Sequence, residues 1–294
     1  MTKMLAVILL ICSASNLLAA QAIPTSQNLL LRRYREGEKL TYHMKGVNED
    51  WHYKIQADGI VKKDSNGTYF EEYRWSNLIT DNQKTALSPA SLDFRQQLTL
   101  DPNRNPAVPN LSQVDPKFIG PITDFMTFYV DVWLAVKTGQ LVHAGDHFYL
   151  KYGAPSSWAD GTYVLTGESS IDFDLTLKAV NIADNTAVLV VRHVPPENPA
   201  IKLPADWMRK PVADMPNNWV LVKKEKDGKY LAGVGKETFV VEIKVSLADG
   251  KILSGSMDNP VETIERECED DALTKCSDSK PHPIRRQIEI SLER

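Results

Sequence analysis

The sequence predicts a mainly β protein with minor α: a curved antiparallel sheet or incomplete β-barrel packed around one hydrophobic helix. Three observations carry that expectation. Apolar and polar residues alternate in many short runs. Turn signals such as Asn66-Gly67, Asp227-Gly228 and Asp249-Gly250 separate those runs. One segment, residues 123–137, is apolar around most of a helical wheel. No regular strand–helix–strand alternation appears, which favours antiparallel pairing.

The elements follow in order. Residues 1–22 combine Lys3, the apolar run "MLAVILLIC" and the small-x-small site Ala20-Gln21-Ala22, the pattern of a cleaved secretory signal. That run is shorter than the ~20 apolar residues a spanning helix needs. Residues 23–294 then read as a single β-rich domain, with 23–37 a flexible N-terminal lead. Leu40, Tyr42 and Met44 mark a first strand, and Trp51, Tyr53 and Ile55 a second. "KKDSNGTYF" reads as a two-residue hairpin turn at Asn66-Gly67, with Lys62 opposite Glu71 and Ile60 opposite Tyr73.

Later runs each put apolar residues on one face: Leu98 with Leu100, Phe148 with Leu150, and Ile171, Phe173, Leu175 and Leu177 in "SIDFDLTLKAV". "AVLVVRHV" returns beside that strand. Val241, Ile243 and Val245 point inward from a hairpin at Asp249-Gly250, and Ile284, Ile288 and Ile290 align in "IRRQIEISL". Residues 195–217 hold six prolines, which cannot donate to a sheet ladder, so they read as a long loop. Ile201, Leu203, Trp207 and Met208 make that loop oily, the composition of a lid.

In the helix, Thr123 is placed as the N-cap after "IGP", with Asp124 near the positive end of the dipole. Phe125, Phe128, Tyr129, Val132, Trp133 and Val136 form one face, and Met126, Val130 and Leu134 a second. Asp124, Thr127 and Asp131 leave only a narrow polar stripe. Such a helix needs cover on more than one side, and a bent sheet supplies it. The segment reads as too short to cross a membrane, and no later stretch reads as a transmembrane segment.

The formal charge is −4, or −5 once Lys3 is removed, with no block of one sign. A basic stripe for nucleic acid is absent. Of three cysteines, Cys12 lies in the signal, and Cys268 and Cys276 frame "CEDDALTKC". In an oxidising compartment that spacing favours a local disulfide over a metal site with His282. The expected localisation is secreted or periplasmic.

No nucleophile elbow or zinc-protease motif is present. Gly235-Lys236 lacks the rest of a phosphate loop and reads as strand. His143, Asp146 and His147 in "HAGDH" suggest a turn more than a metal set, and His43 and His52 flank another turn. Asp172 and Asp174 are the best paired carboxylates, yet Thr176 and Lys178 beside them suggest a solvated face. Trp51, Tyr53, Tyr69, Tyr73 and Trp75 offer either a stacking platform for sugars or a β core. No catalytic residue, metal or cofactor is expected.

A bent sheet closed by an apolar helix resembles, at the level of architecture, the periplasmic lipoprotein carriers, in which an incomplete barrel encloses an apolar cavity. The opening "YREGEKLTY" is similar to uncharacterised secreted bacterial β-rich families. The resemblance implies an exported, non-enzymatic protein that binds a lipid-like or other apolar ligand between sheet and helix. Phe125, Tyr129, Trp133 and Trp207 are the expected lining. The alternatives are a secreted hydrolase of envelope glycans using Asp172 and Asp174, and a structural or interaction domain of the cell envelope.

Overall fold

The computed structural model describes residues 28–48, 51–107, 109–111, 113–154, 158–159, 163–165, 171–194, 205–214, 217–225 and 227–293. Residues 1–22, read from the sequence as a secretory signal, and Ile201 and Leu203 of the proline-rich loop lie outside them. The first part of the fold comprises β1 (Lys39–Asn48), β2 (Trp51–Lys63), β3 (Tyr69–Thr80), β4 (Gln83–Lys84), α1 (Pro89–Asp93), β5 (Arg95–Leu98) and α2 (Pro116–Thr138). Then come β6 (His147–Ala154), β7 (Trp158–Ala159), β8 (Tyr163–Leu165), β9 (Ile171–Asn181), β10 (Thr186–Val194) and β11 (Trp219–Lys224). The chain continues through β12 (Tyr230–Glu237), β13 (Phe239–Ser246), β14 (Ile252–Cys268), β15 (Lys280–Pro281) and β16 (Ile284–Leu292).

Among the described residues every strand pairing is antiparallel, and the main path runs β3-β2-β1-β16-β14-β13-β10-β9-β6 without closing. β14 is the pivot. Its first half takes β13 on one edge, and its second half takes β12 on that same edge in the same register, so residues 230–246 and β14 form one long ribbon. A second branch, β12-β11-β8-β7, leaves from the far half of that ribbon. The ribbon thereby joins two apolar cores. The larger lies between the main sheet and α2; the smaller gathers Met208, Val220, Val234, Cys268 and Leu273.

α2 begins earlier than the sequence suggests. Asp115 caps it, Pro116 opens it, and Gly139 ends it in the left-handed region at φ 62°. Pro121 sits inside the helix, and Thr123, expected as the cap, instead turns its hydroxyl to the Ile119 and Gly120 carbonyls. At 23 residues the helix is long and apolar enough to cross a membrane by length and composition, a correction to the shorter span read from sequence. Here it is wrapped: Phe118, Ile122, Phe125, Phe128 and Val132 are fully buried. Tyr42, Tyr73 and Trp75 meet Phe125 edge-on with ring centroids 5.0 to 5.3 Å apart. Glycines on the sheet make room for neighbouring rings. A side chain at Gly255 would collide with Phe128, and one at Gly46 with Tyr53.

The chain entering the fold is docked rather than loose from Asn28 onward. Leu29 and Leu30 are buried, the Asn28 amide donates to the Val136 carbonyl at 2.6 Å, and Arg32 is buried. The β2–β3 connection also differs from expectation. Lys63 pairs with Tyr69, so residues 64–68 form the loop, tied by the Asp64 carboxylate to the backbone of Asn66 and Thr68. Lys62 therefore pairs with Glu72 at 2.6 Å, and Glu71 turns into the core. A one-residue slip exchanges the faces of every side chain on a strand.

Candidate functional site

Polar groups tie α2 to the sheet at three levels. Near its start, the Asp124 carboxylate receives Tyr53 at 2.9 Å and Arg286 of β16. Burial pushes the Asp124 pKa above the ordinary carboxylate range, with Arg286 and Tyr53 opposing. In the middle, Glu71 of β3 accepts from Arg32 at 2.9 Å, Tyr73 at 2.9 Å and Tyr129 of α2 at 2.5 Å. Burial first, and then the Glu71 charge, raises the pKa of Tyr73 and Tyr129 well above normal, so both hydroxyls stay protonated and available as donors. Further along, Asp131 meets His193 of β10 at 2.8 Å, its other oxygen being buried without a hydrogen-bond partner. His193 is stacked on Phe239 and edged by Phe173. The stripe read as a polar face of the helix is thus partly internal: Asp124 and Asp131 are both buried.

The expected lining residues separate. Phe125, Tyr129 and Trp133 are buried in the main core, Trp133 donating to the Asp101 carbonyl at 3.0 Å. Trp207 belongs to the small core, where it donates to the Leu273 carbonyl at 3.1 Å beneath the Arg266 guanidinium. That part of the proline-rich segment packs on the loop closed by the Cys268–Cys276 disulfide. Asp172 is buried rather than solvated and receives the Tyr149 hydroxyl at 3.0 Å, while Asp174 is engaged by His147. In the "HAGDH" turn the Asp146 carboxylate caps the Val142 and His143 backbone amides. His43 lies opposite Gln56, and His52 opposite Val47, so the two histidines are four positions apart along the ladder and do not meet. Tyr53, Tyr73 and Trp75 are core residues, which leaves no open aromatic platform from that set.

The concave surface lies on the other side of the sheet. There, residues of β3, β2, β1, β16, β14 and β13 line a trough of about 850 Å³. The register builds its central ladder: Ile79, Lys54, Lys45, Glu289, Ser256 and Glu242 stand side by side across β3, β2, β1, β16, β14 and β13. A parallel row supplies His52, Val47, Gln287, Asp258 and Val240. A smaller groove of about 330 Å³ adjoins it at His43, Gln56 and Ser291. None of these was legible as a site, because only the register brings residues 45, 54, 242 and 289 together.

The ladder is electrically graded. Lys54 lies directly opposite Lys45, an arrangement of like charges that costs stability. Lys45 is relieved by Glu289 at 2.8 Å, and Glu242 pairs with Lys178 at 2.7 Å. Lys54 forms no ion pair among the described residues. No group of three or more His, Cys, Asp or Glu side chains able to hold a metal occurs among the described residues. Comparison with protein-family models, curated proteins and solved structures returns no match.

Proposed function

We propose that this chain is an exported binding domain that acts without catalysis and receives an elongated polar ligand in the outer trough. The observation that carries the reading is the trough itself. Its volume lies within the range of ligand sites, it opens to solvent, and charged groups of both signs line it. Export is supported by the signal-like first residues and by the Cys268–Cys276 disulfide, which persists in oxidising compartments.

The trough is favoured over an apolar site between sheet and helix. A lipid-like ligand there would have to displace Phe125 from its close ring contacts, Phe128 from the space that Gly255 leaves open, or Trp133 from its hydrogen bond to the Asp101 carbonyl. The test uses purified oxidised protein, screened against a displayed decapeptide library and a panel of envelope oligosaccharides. Ser256 is exposed on the trough floor, so Ser256→Arg fills the site with little disturbance of the core. The proposal expects a ligand whose affinity falls at least tenfold in Ser256→Arg, with an unchanged melting temperature. Ligands held equally by both proteins, or none held by the wild type, would overturn it.

A further inference from the structure

The ladder also specifies what kind of chain would lie along it. We infer that the ligand is an extended peptide segment carrying an acidic side chain at one end and a basic side chain about six residues away. This rests on the trough being the binding site. Like charges facing each other on adjacent strands are disfavoured, yet Lys45 and Lys54 do so here, and only Lys45 has a carboxylate partner. An incoming carboxylate over Lys54 relieves that repulsion. At the opposite end Glu242 and Asp258 stand on β13 and β14 with Lys178 and Arg285 as half-exposed partners outside the trough. A basic side chain arriving there meets acceptors that are held loosely.

Spacing fixes the length. Four strand-to-strand steps separate Lys54 from Glu242, about 19 Å at ~4.8 Å each, and an extended chain covers that in about six residues at ~3.3 Å each. Between the ends, Val47 offers aliphatic contact and Gln287 and Ser256 neutral hydrogen bonding, while Ile79 and Val240 flank the two ends. Tyr73 and Trp75 are buried against the helix, and Tyr53, which borders the trough, is itself buried, so these rings present no open face on which sugars stack. This favours a peptide over a glycan.

The probes are fluorescein-labelled decapeptides of Ser, Thr and Val, carrying either one Asp and one Lys six positions apart, two Asp, or two Lys at those places. Anisotropy titrations at low and physiological salt read the affinities. The Asp/Lys peptide is expected to bind tightest. Lys54→Glu should weaken it roughly tenfold, since an exposed attraction becomes a repulsion. The same variant should then prefer the two-Lys peptide, and that inversion does not depend on the fold being otherwise perturbed. Equal binding of the three peptides, or no inversion in Lys54→Glu, overturns the inference. If a glycan instead shows the loss in Ser256→Arg, the trough stands and the peptide falls. If no ligand senses Ser256→Arg, both fall.

Discussion

Glu71 is the residue whose removal should be felt most. Its side chain is about 2% exposed, and Arg32, which donates to it through Nε, is about 1% exposed. Glu71→Ala deletes the acceptor for Arg32, Tyr73 and Tyr129 together. Arg32 would keep Glu38 at 2.6 Å but lose half its neutralisation inside the protein. Breaking a buried ion pair from one side costs about 3 to 5 kcal/mol, because the surviving charge is left uncompensated. The two tyrosine hydroxyls lose a charged acceptor but keep each other, at 2.5 Å, which limits their share. A total near 4 kcal/mol is therefore expected. Glu71→Gln keeps the shape and one acceptor oxygen, and should cost about half as much. Urea unfolding followed by tryptophan fluorescence measures both, with the slope checked for constancy. Replacing Arg32 by Met in the Glu71→Ala background should recover stability, since it removes the stranded charge. A loss below about 1 kcal/mol in Glu71→Ala, or no recovery in the double variant, would refute the claim that this cluster fastens the N-terminal segment to the helix.

Three further outcomes are expected. Gly255→Val places a methyl-bearing carbon against the Phe128 ring, at 2.7 Å before any relaxation, and should lower stability by about 1 to 3 kcal/mol in a thermal melt. Changing both Cys268 and Cys276 to Ser opens a short loop and should cost about 2.5 kcal/mol in the chain-entropy treatment, with the loosening concentrated in the small core when read by hydrogen exchange. Asp115 has its pKa held down chiefly by the Ser88 backbone N–H and also by Ser91, so its contribution is full above the ordinary carboxylate pKa of ~3.9 and is lost as pH falls through the lowered value. The stability difference between wild type and Asp115→Asn should accordingly be largest near neutrality and shrink in acid; a difference that grows in acid would reverse the assignment.

The strands and the enclosing of the helix were readable because burial imposes a period, and Val241, Ile243 and Val245 or Ile288 and Ile290 display it without interruption. The Cys268–Cys276 bridge was readable from spacing. What escaped was decided by neighbours distant in the chain. Asn66-Gly67 looked like a two-residue turn, but Asp64 supplies carboxylate bonds that extend the loop and shift the register by one, sending Glu71 inward. Asp124 and Asp131 looked like surface charges, since nothing local shows that Arg286 and His193 wait for them. The start of α2 was hidden by Pro121, a residue that ordinarily marks a break but is accommodated here in the second turn. The trough was illegible for the same reason: its charges come from five separate strands.

The pairing of β1 with β16 places Tyr42 beside Leu292, and the two halves of the main path, β3-β2-β1 and β16-β14-β13-β10-β9-β6, join only at that seam. Until residues near 290 have been synthesised, β1 lacks its β16 neighbour and α2 lacks its full cradle. Loop closure over such a span is slow. β1, among the first strands made, therefore waits for the last one before the main sheet becomes continuous.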